Sequence, residues 1–450
     1  MDGEHLPSVV RAAISHLSGH LPGAEAIGAA LVGGGEKLVG PNHPDLGLPL
    51  VGGPTPEAAL AAGLARFAPD LVYDLSDVPV VDSRRRMGLA ARALAAGVTY
   101  AGADFRFDPP LRPRLATKAS VAVVSTDKRA GKTAVTAHLA RLLAARGTPP
   151  VVVTMGRGGP LMPEVVDPAV ADLTPTGLLC MADAGRHAAS DHLEDALMAG
   201  VATVGTSRCG AGLVGAPADD GFAAGVAVAN ERPETILLYE GSGSALPPAH
   251  ADATILVVPA TADPELVTGY LGSYRVLLSD LIVVTMAEPT FAVSGAVGTA
   301  EHAVSGWKDR FRGLATGAGV VRTTLRPFPL QPISGRRVFY VTAAPAHAMR
   351  DMVGHLEHEH GCKVVGMSSH LASRHQLAAD LDRLDTADVL VVELKAAAVD
   401  TATRIALERG IDVVYCDNRV VAIGDGPSFD ELALATADLA MERFQGSAIS

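Results

Sequence analysis

Thr126-Asp127-Lys128-Arg129-Ala130-Gly131-Lys132-Thr133 is the stretch of this 450-residue chain best equipped for phosphate chemistry. A glycine followed by lysine and threonine at a helix start offers a polyphosphate inward-turned N–H groups, an ammonium and a hydroxyl. In that geometry Lys132 reaches the β- and γ-phosphates, and Thr133 places its hydroxyl on a magnesium ion. A nucleoside triphosphate is expected against Thr126, Asp127, Ala130, Gly131, Lys132, Thr133 and Ala134, with Mg²⁺ beside it. The usual pattern opens with glycine, and here Thr126 stands in that place. Of the chain's seven lysines, Lys118, Lys128 and Lys132 fall within one fifteen-residue stretch, which reads as a polyanion site.

Such a loop works only between a strand and a helix, and the surrounding sequence supplies both. Val121–Val124 is a compact apolar run, and Thr133–Arg146 has the spacing of an amphipathic helix closed by Gly147. Val151–Thr154, Ile236–Leu238, Thr254–Val258 and Leu281–Thr285 are further Val/Ile/Leu-rich runs, as parallel strands covered on both faces require. Upstream, strands are expected at Ile27–Val32, Leu71–Leu75 and Val98–Tyr100, with helices over Pro56–Phe67 and Arg84–Ala96. Downstream, Val338–Val341, Val389–Val392 and Asp412–Tyr415 read as strands, with helices around His347–His360 and Asp400–Arg409. The alternation predicts an α/β fold. Three prolines in Phe107–Pro113 mark a linker. The expected domains are an N-terminal α/β domain (1–114) with possible substrate contacts, a phosphate-binding core with a parallel sheet (115–331) and a C-terminal α/β domain (332–450).

Composition narrows the partners. Hydrophobic residues make up 48% and charged residues 19%, enough apolar material for sizeable cores. Lys plus Arg total 37 against 49 Asp plus Glu, a formal charge of −12 that argues against general binding to nucleic acid or anionic membranes. Four well-separated cysteines with no CxxC pair give neither a disulfide framework nor a zinc site. No apolar run reaches about 18 residues, and Met1-Asp2-Gly3-Glu4 lacks the regions of a signal peptide. A cytoplasmic protein acting on a small molecule is expected; a homodimer is left open.

The opening Thr-Asp of the loop resembles dethiobiotin synthetase and its relatives among the P-loop NTPases. Glu240-Gly241-Ser242-Gly243-Ser244, directly after Ile236–Leu238, is similar to that group's Glu-Gly-x-Gly motif. The resemblance implies that Glu240 helps to hold Mg²⁺. Asp191, in Ser190-Asp191-His192, resembles the group's second acidic element, and reads equally as the N-cap of a helix.

Over its whole length the chain resembles the cyclic 2,3-diphosphoglycerate synthetase family. The likeness rests on Ser125–Thr133, Met155-Gly156-Arg157-Gly158-Gly159-Pro160, Gly205–Gly212, Glu240–Gly243 and the order of parts. It implies an ATP- and Mg²⁺-dependent ligase-type reaction that closes 2,3-diphosphoglycerate, or a related phosphorylated acid, into an intramolecular phosphoanhydride with release of ADP and phosphate. A substrate with two phosphates and a carboxylate calls for arginines, whose planar forks bind such groups bidentately. Arg157, in a glycine-rich turn after a strand, and Arg208, in the loop Ser207–Gly212, are candidates. So are Arg84 and Arg85, since three consecutive arginines on a helix spread over roughly 200° and at most two can face one ligand. Lys128 and Arg129 are placed to bridge ATP and the accepting phosphate, and with Lys132 and Arg157 form the expected catalytic set. Lys395, at a strand end, reads equally as a functional charge or a surface residue, while His355, His358 and His360 read as a solvated helix face.

Other readings stand beside this one. Another small-molecule ligase or kinase of the dethiobiotin synthetase group would use the same loop on a different acceptor. A nucleotide-switch or metal-delivery GTPase is disfavoured because Leu281–Thr285 is followed by Met286-Ala287-Glu288, without an Asn-Lys-x-Asp element. A non-catalytic nucleotide-binding module is disfavoured by Lys132, Thr133 and Glu240 together.

Overall fold

The computed structural model describes residues 1–34, 45–288, 300–314, 317–424 and 426–449. Two compact units emerge, one made of Met1–Leu111, Asp263–Leu278 and Arg310–Thr316, the other of Arg112–Ala262, Ser279–Asp309 and Gly317–Ser450.

In the first unit, β1 (Ala29–Leu31) and β2 (Leu50–Gly52) form a parallel pair. β3 (Leu71–Tyr73), β4 (Thr99–Ala101) and β5 (Arg106–Phe107) form a second sheet, with β3 parallel and β5 antiparallel to β4. The helix Pro56–Phe67 starts where expected because the Thr55 hydroxyl accepts the Ala58 N–H at 3.2 Å and Pro56 needs no N–H partner. The helix Ser83–Ala95 is capped by Asp82, which accepts the Arg85 N–H at 2.8 Å.

The second unit carries one thirteen-stranded sheet. Its strands are β6 (Ala119–Ser125), β7 (Pro150–Gly156), β8 (Glu164–Val166), β9 (Thr203–Cys209), β10 (Asp219–Asp220), β11 (Ile236–Glu240), β12 (Ala253–Pro259), β13 (Leu281–Thr285), β14 (Gly319–Pro329), β15 (Arg337–Val341), β16 (Lys363–Ser368), β17 (Val389–Glu393) and β18 (Asp412–Ala422). They lie in the order β10-β9-β7-β11-β6-β12-β13-β14-β18-β17-β15-β16, with β8 also on β9. β6, β7, β11, β12 and β13 are buried along their whole length, the reason their sequences read as unbroken apolar runs.

The long strand β14 joins two parallel sets. Its first residues, Gly319–Arg322, pair parallel with β13, and Thr323–Pro329 pair antiparallel with β18. β18, β17, β15 and β16 are mutually parallel, so this second set runs opposite to the first. Because the antiparallel pairing begins where the β13 pairing ends, the second set lies beyond the carboxyl ends of the first and points its own carboxyl ends back toward them. The helix Phe429–Ile449 then returns to the first set, where Arg443 donates to the Asp252 carbonyl and the Asp280 carboxylate, each at 2.8 Å. Among the described residues, no helix is long and apolar enough to cross a membrane.

Candidate active site

The phosphate loop leaves β6 at Ser125 and enters the helix Lys132–Ala145. Gly131 adopts φ 89°, a left-handed conformation that favours glycine, and a Cβ there would stand 3.2 Å from Leu325 Cδ1, so that side chain would have to yield slightly. Thr285 Oγ1 donates to the Ala130 carbonyl at 2.6 Å, and Ser125 Oγ lies 3.0 Å from the Asp127 carbonyl and 2.8 Å from that of Gly243. Thr126, in the place of the usual first glycine, buries a hydroxyl with no hydrogen-bond partner. Asp127, Lys128 and Arg129 are exposed on the loop, with Arg129 at φ 64°, while Ala130 and Ala134 are buried at its base. Lys118 departs from the expected lysine cluster. It precedes β6, at the end of the strand away from the loop, and its ammonium is taken up by the carbonyls of Ala229 and Arg232.

Lys132 and Thr133 both reach Glu240, the last residue of β11. The ammonium pairs with Glu240 Oε1, and the Thr133 hydroxyl donates to the same oxygen at 2.9 Å. Burial pushes the Glu240 carboxyl up, but the Lys132 charge and the hydrogen bonds from Lys132 and Thr133 hold it below the ordinary glutamate value. Burial likewise disfavours the Lys132 charge, and Glu240 outweighs it, so the ammonium is held above the ordinary lysine value.

The helix Asp191–Ala199 brings further acids to this point. Its N-cap is Ser190, which corrects the capping alternative for Asp191, the first helical residue. Asp191 sits beside the turn after β7, with Oδ2 3.5 Å from where a Gly156 Cβ would stand. Burial raises its carboxyl pKa, opposed by Lys132 and Lys395. Asp195 is fully buried with neither carboxylate oxygen accepting a conventional hydrogen bond. Burial, then the Glu240 charge, raises its carboxyl pKa well above the ordinary range. Glu194, pushed up to about 8 mainly by burial, meets the ammonium of Lys395 at 3.1 Å.

Arg157 and Arg208 converge on the turn after Glu240. A Cβ on Gly243, itself at φ 57°, would lie 3.2 Å from Arg157 Nη2 and 3.8 Å from Arg208 Nη2. Arg208 is 7% exposed and donates to the Gly210 and Ser242 carbonyls, each at 2.8 Å, while its Nε has no partner. Burial, then the neighbouring Arg157, lowers its pKa. Lys132, Thr133, Glu240, Asp191, Arg157 and Arg208 thus come together at the carboxyl ends of β6, β7, β9 and β11, where open α/β sheets bind ligands. Sequence reasoning missed Glu194 and Asp195; their signal is the spacing of three carboxylates, Asp191, Glu194 and Asp195, on one face of a short helix.

Arg84 and Arg85 lie in the other unit. Arg84 is paired with Glu265, and Arg85 lies 3.8 Å from Glu57, at the edge of a cavity of about 380 Å³ within that unit. Arg86 turns away from them to Asp74 at 2.8 Å. In the His355–His360 stretch, the His355 and His360 rings lie 6.0 Å apart. Among the described residues no group of three or more His, Cys, Asp and Glu side chains is arranged to hold a metal ion. Beside the phosphate loop, Thr133 and Glu240 nevertheless supply the oxygen donors that Mg²⁺ takes alongside nucleotide phosphates, and Glu240 Oε2 is buried without a conventional partner.

Three family profiles match the chain: the N-terminal domain of cyclic 2,3-diphosphoglycerate synthetase over 1–108, its P-loop domain over 120–311 and its C-terminal domain over 329–419. A cyclic 2,3-diphosphoglycerate synthetase from Rubrobacter xylanophilus is 44% identical over 424 residues, covering 94% of each chain. One from Methanothermus fervidus is 36% identical over 457 residues, covering 99% of this chain and 98% of that one. Among solved structures, LpxK from Aquifex aeolicus in complex with ATP matches with a TM-score of 0.42 and 13% identity, over 74% of this chain and 91% of that one.

Proposed function

The chain belongs to the cyclic 2,3-diphosphoglycerate synthetase family, and we propose that its phosphate loop uses ATP to close 2,3-diphosphoglycerate into the cyclic phosphoanhydride, releasing ADP and phosphate. The observation that carries the chemistry is the convergence of Lys132 and Thr133 on Glu240, with Arg157 and Arg208 bracketing the adjacent turn. A phosphate monoester is a poor electrophile, and two neighbouring phosphates repel each other. In the first step an oxygen of one substrate phosphate attacks the γ-phosphorus, a new P–O bond forms, and the bond to ADP breaks. In the second, an oxygen of the other phosphate attacks the phosphorus so activated, the intramolecular anhydride forms, and orthophosphate leaves. Both steps require positioning and charge neutralisation rather than a covalent nucleophile from the protein.

The residues divide that work. Lys132 leaves Glu240 for the β- and γ-phosphate oxygens as the nucleotide enters. The Thr133 hydroxyl and Glu240, with Asp191 as the second carboxylate, would hold Mg²⁺, which would supply charge neutralisation to the phosphoryl group. Lys128 and Arg129, exposed on the loop, span the γ-phosphate and the accepting phosphate. Arg157 and Arg208 hold the other phosphate and the carboxylate; Arg208 keeps an unpartnered Nε donor for the purpose. Arg84 and Arg85 already hold Glu265 and Glu57 within their own unit, and this reading does not need them.

The test is ADP release across phosphorylated three-carbon acids, with ³¹P NMR of the product. Stimulation by 2,3-diphosphoglycerate with a new anhydride resonance is expected, and Lys132→Ala abolishes both. ADP release without an anhydride, or equal stimulation by monophosphorylated acids, overturns the reading.

A further inference from the structure

Lys395 lies just past the carboxyl end of β17, in the second parallel set, more than 260 residues from the phosphate loop. The inversion at β14/β18 brings it back. Glu393 pairs with Cys416 on β18, and Cys416 pairs with Pro329 on β14, seven residues past Arg322, where the pairing with β13 ends. The end of β17 therefore overhangs the carboxyl ends of the first set and aims at them. Glu393 is fixed there by Thr342 Oγ1 at 2.5 Å, the Ala343 N–H at 3.1 Å and Asn418 Nδ2 at 2.9 Å. Two residues on, the Lys395 ammonium meets Glu194, with the side chain still 33% exposed. The next residue, Ala396, adopts φ 48°, a conformation an alanine holds only where its surroundings impose it.

The charges around this ammonium do not read as a self-contained ion pair. Asp191 lies within electrostatic reach of Lys395, Lys132 and His187, and Arg208 within reach of Asp191 and Arg157. The Arg208 Nε donor, on a side chain more than nine-tenths buried, has no partner. Glu194, Glu393 and Asp417 all face the Lys395 ammonium and favour its charge. Cations from both parallel sets, Lys132, Arg157 and Arg208 from the first and Lys395 from the second, thus meet at the carboxylates of Asp191, Glu194 and Glu240, where an arriving phosphate can take over contacts that those acids now hold.

We infer that Lys395 binds a phosphate of the phosphorylated-acid substrate, so that the anion site is built jointly by the two parallel sets of the sheet. This rests on the reaction proposed for the same site. Arg157 and Arg208 approach the anion from the side of β7 and β9, and Lys395 approaches it from the side of β17. Lys132 is left to the nucleotide. The consequence is a division of labour: within the folded chain only the first set contacts ATP, and the second set supplies a contact to the acid.

The test compares wild type with Lys395→Met, which keeps the apolar stem, and Lys395→Arg, which keeps the charge. Calorimetric titration measures 2,3-diphosphoglycerate and ATP binding separately, and turnover gives both KM values. Losing one charge-assisted contact is expected to weaken 2,3-diphosphoglycerate binding and raise its KM about 10- to 100-fold. ATP binding stays within about twofold, and Lys395→Arg recovers most of the affinity. A purely structural lysine would instead lower the melting temperature and leave 2,3-diphosphoglycerate binding unchanged, which overturns the inference. Wild type that binds 2,3-diphosphoglycerate without closing it would overturn the proposed reaction and leave the Lys395 comparison decisive. Wild type that does not bind it overturns both.

Discussion

Glu240 holds two groups that the proposed chemistry needs elsewhere. In the free protein its Oε1 takes both the Lys132 ammonium and the Thr133 hydroxyl, so a nucleotide must compete with a fully buried carboxylate for its lysine. Glu240→Gln removes the charge and keeps the shape. ATP binding measured in EDTA should tighten several-fold, because Lys132 is no longer held, while Mg²⁺-dependent turnover falls about 100-fold or more. Weaker metal-free binding would mean that Glu240 organises Lys132 instead of restraining it. Glu194 yields a second expectation. Its carboxyl, raised to about 8 chiefly by burial, binds its proton more tightly in the folded chain than in the unfolded one. Its contribution to stability is therefore present below the ordinary glutamate value and is lost as pH rises toward 8. Melting curves of wild type and Glu194→Gln should diverge across that window, with the wild type losing more stability as pH rises. Parallel curves would show that the proton is not held there.

The elements that position these residues differ in how plainly the sequence announces them. β6, β7, β11, β12 and β13 are buried on both faces and read as unbroken apolar runs, and the phosphate loop is contiguous, so the core of the site is legible. β9 does not read as a strand. It carries Gly205, Thr206, Ser207 and Arg208, polar or small residues tolerated because neighbouring strands and helices cover them. β14 escapes for another reason: its prolines and one of its two arginines lie in the half that pairs with β18. The gathering of Glu194, Asp195 and Lys395 is not legible either, since it depends on two elements about 200 residues apart meeting at one point. Gly205 shows how tightly β9 and the helix Asp191–Ala199 are packed. A Cβ there would lie 2.4 Å from the His192 ring, and His192 is 4% exposed. Gly205→Ala should shift that helix and the three carboxylates on it. A stability loss of about 1–3 kcal/mol is expected from overpacking, together with a fall in kcat at least as large as that caused by a comparable stability loss in the other unit. Denaturant melts and steady-state kinetics of the variant check both.

At the scale of the whole molecule, the sheet decides whether the phosphate-binding core can exist without the C-terminal strands and helix. The expected boundary near residue 331 falls just after β14, but half of β14 has its hydrogen-bonding partner in β18. A fragment of residues 115–331 would expose the edge from Thr323 to Pro329, and unpaired edges of this kind recruit other chains. It would also lose the helix Phe429–Ile449, whose Ala433, Ala437 and Ala440 are fully buried. That helix is tied back to the first set by Arg443 to Asp252 and Asp280, and to the phosphate-loop helix by Arg146–Asp438 at 2.8 Å and His138–Asp430 at 2.7 Å. Arg141, on the same phosphate-loop helix, would lose the buried carboxylate of Asp417, 2.9 Å away. The fragment is therefore expected to be insoluble, or soluble only as aggregates without near-UV circular dichroism, and not to bind ATP. A monomeric, folded fragment that binds nucleotide would show that the first parallel set stands alone. The second set would then serve the acid substrate without supporting the phosphate loop.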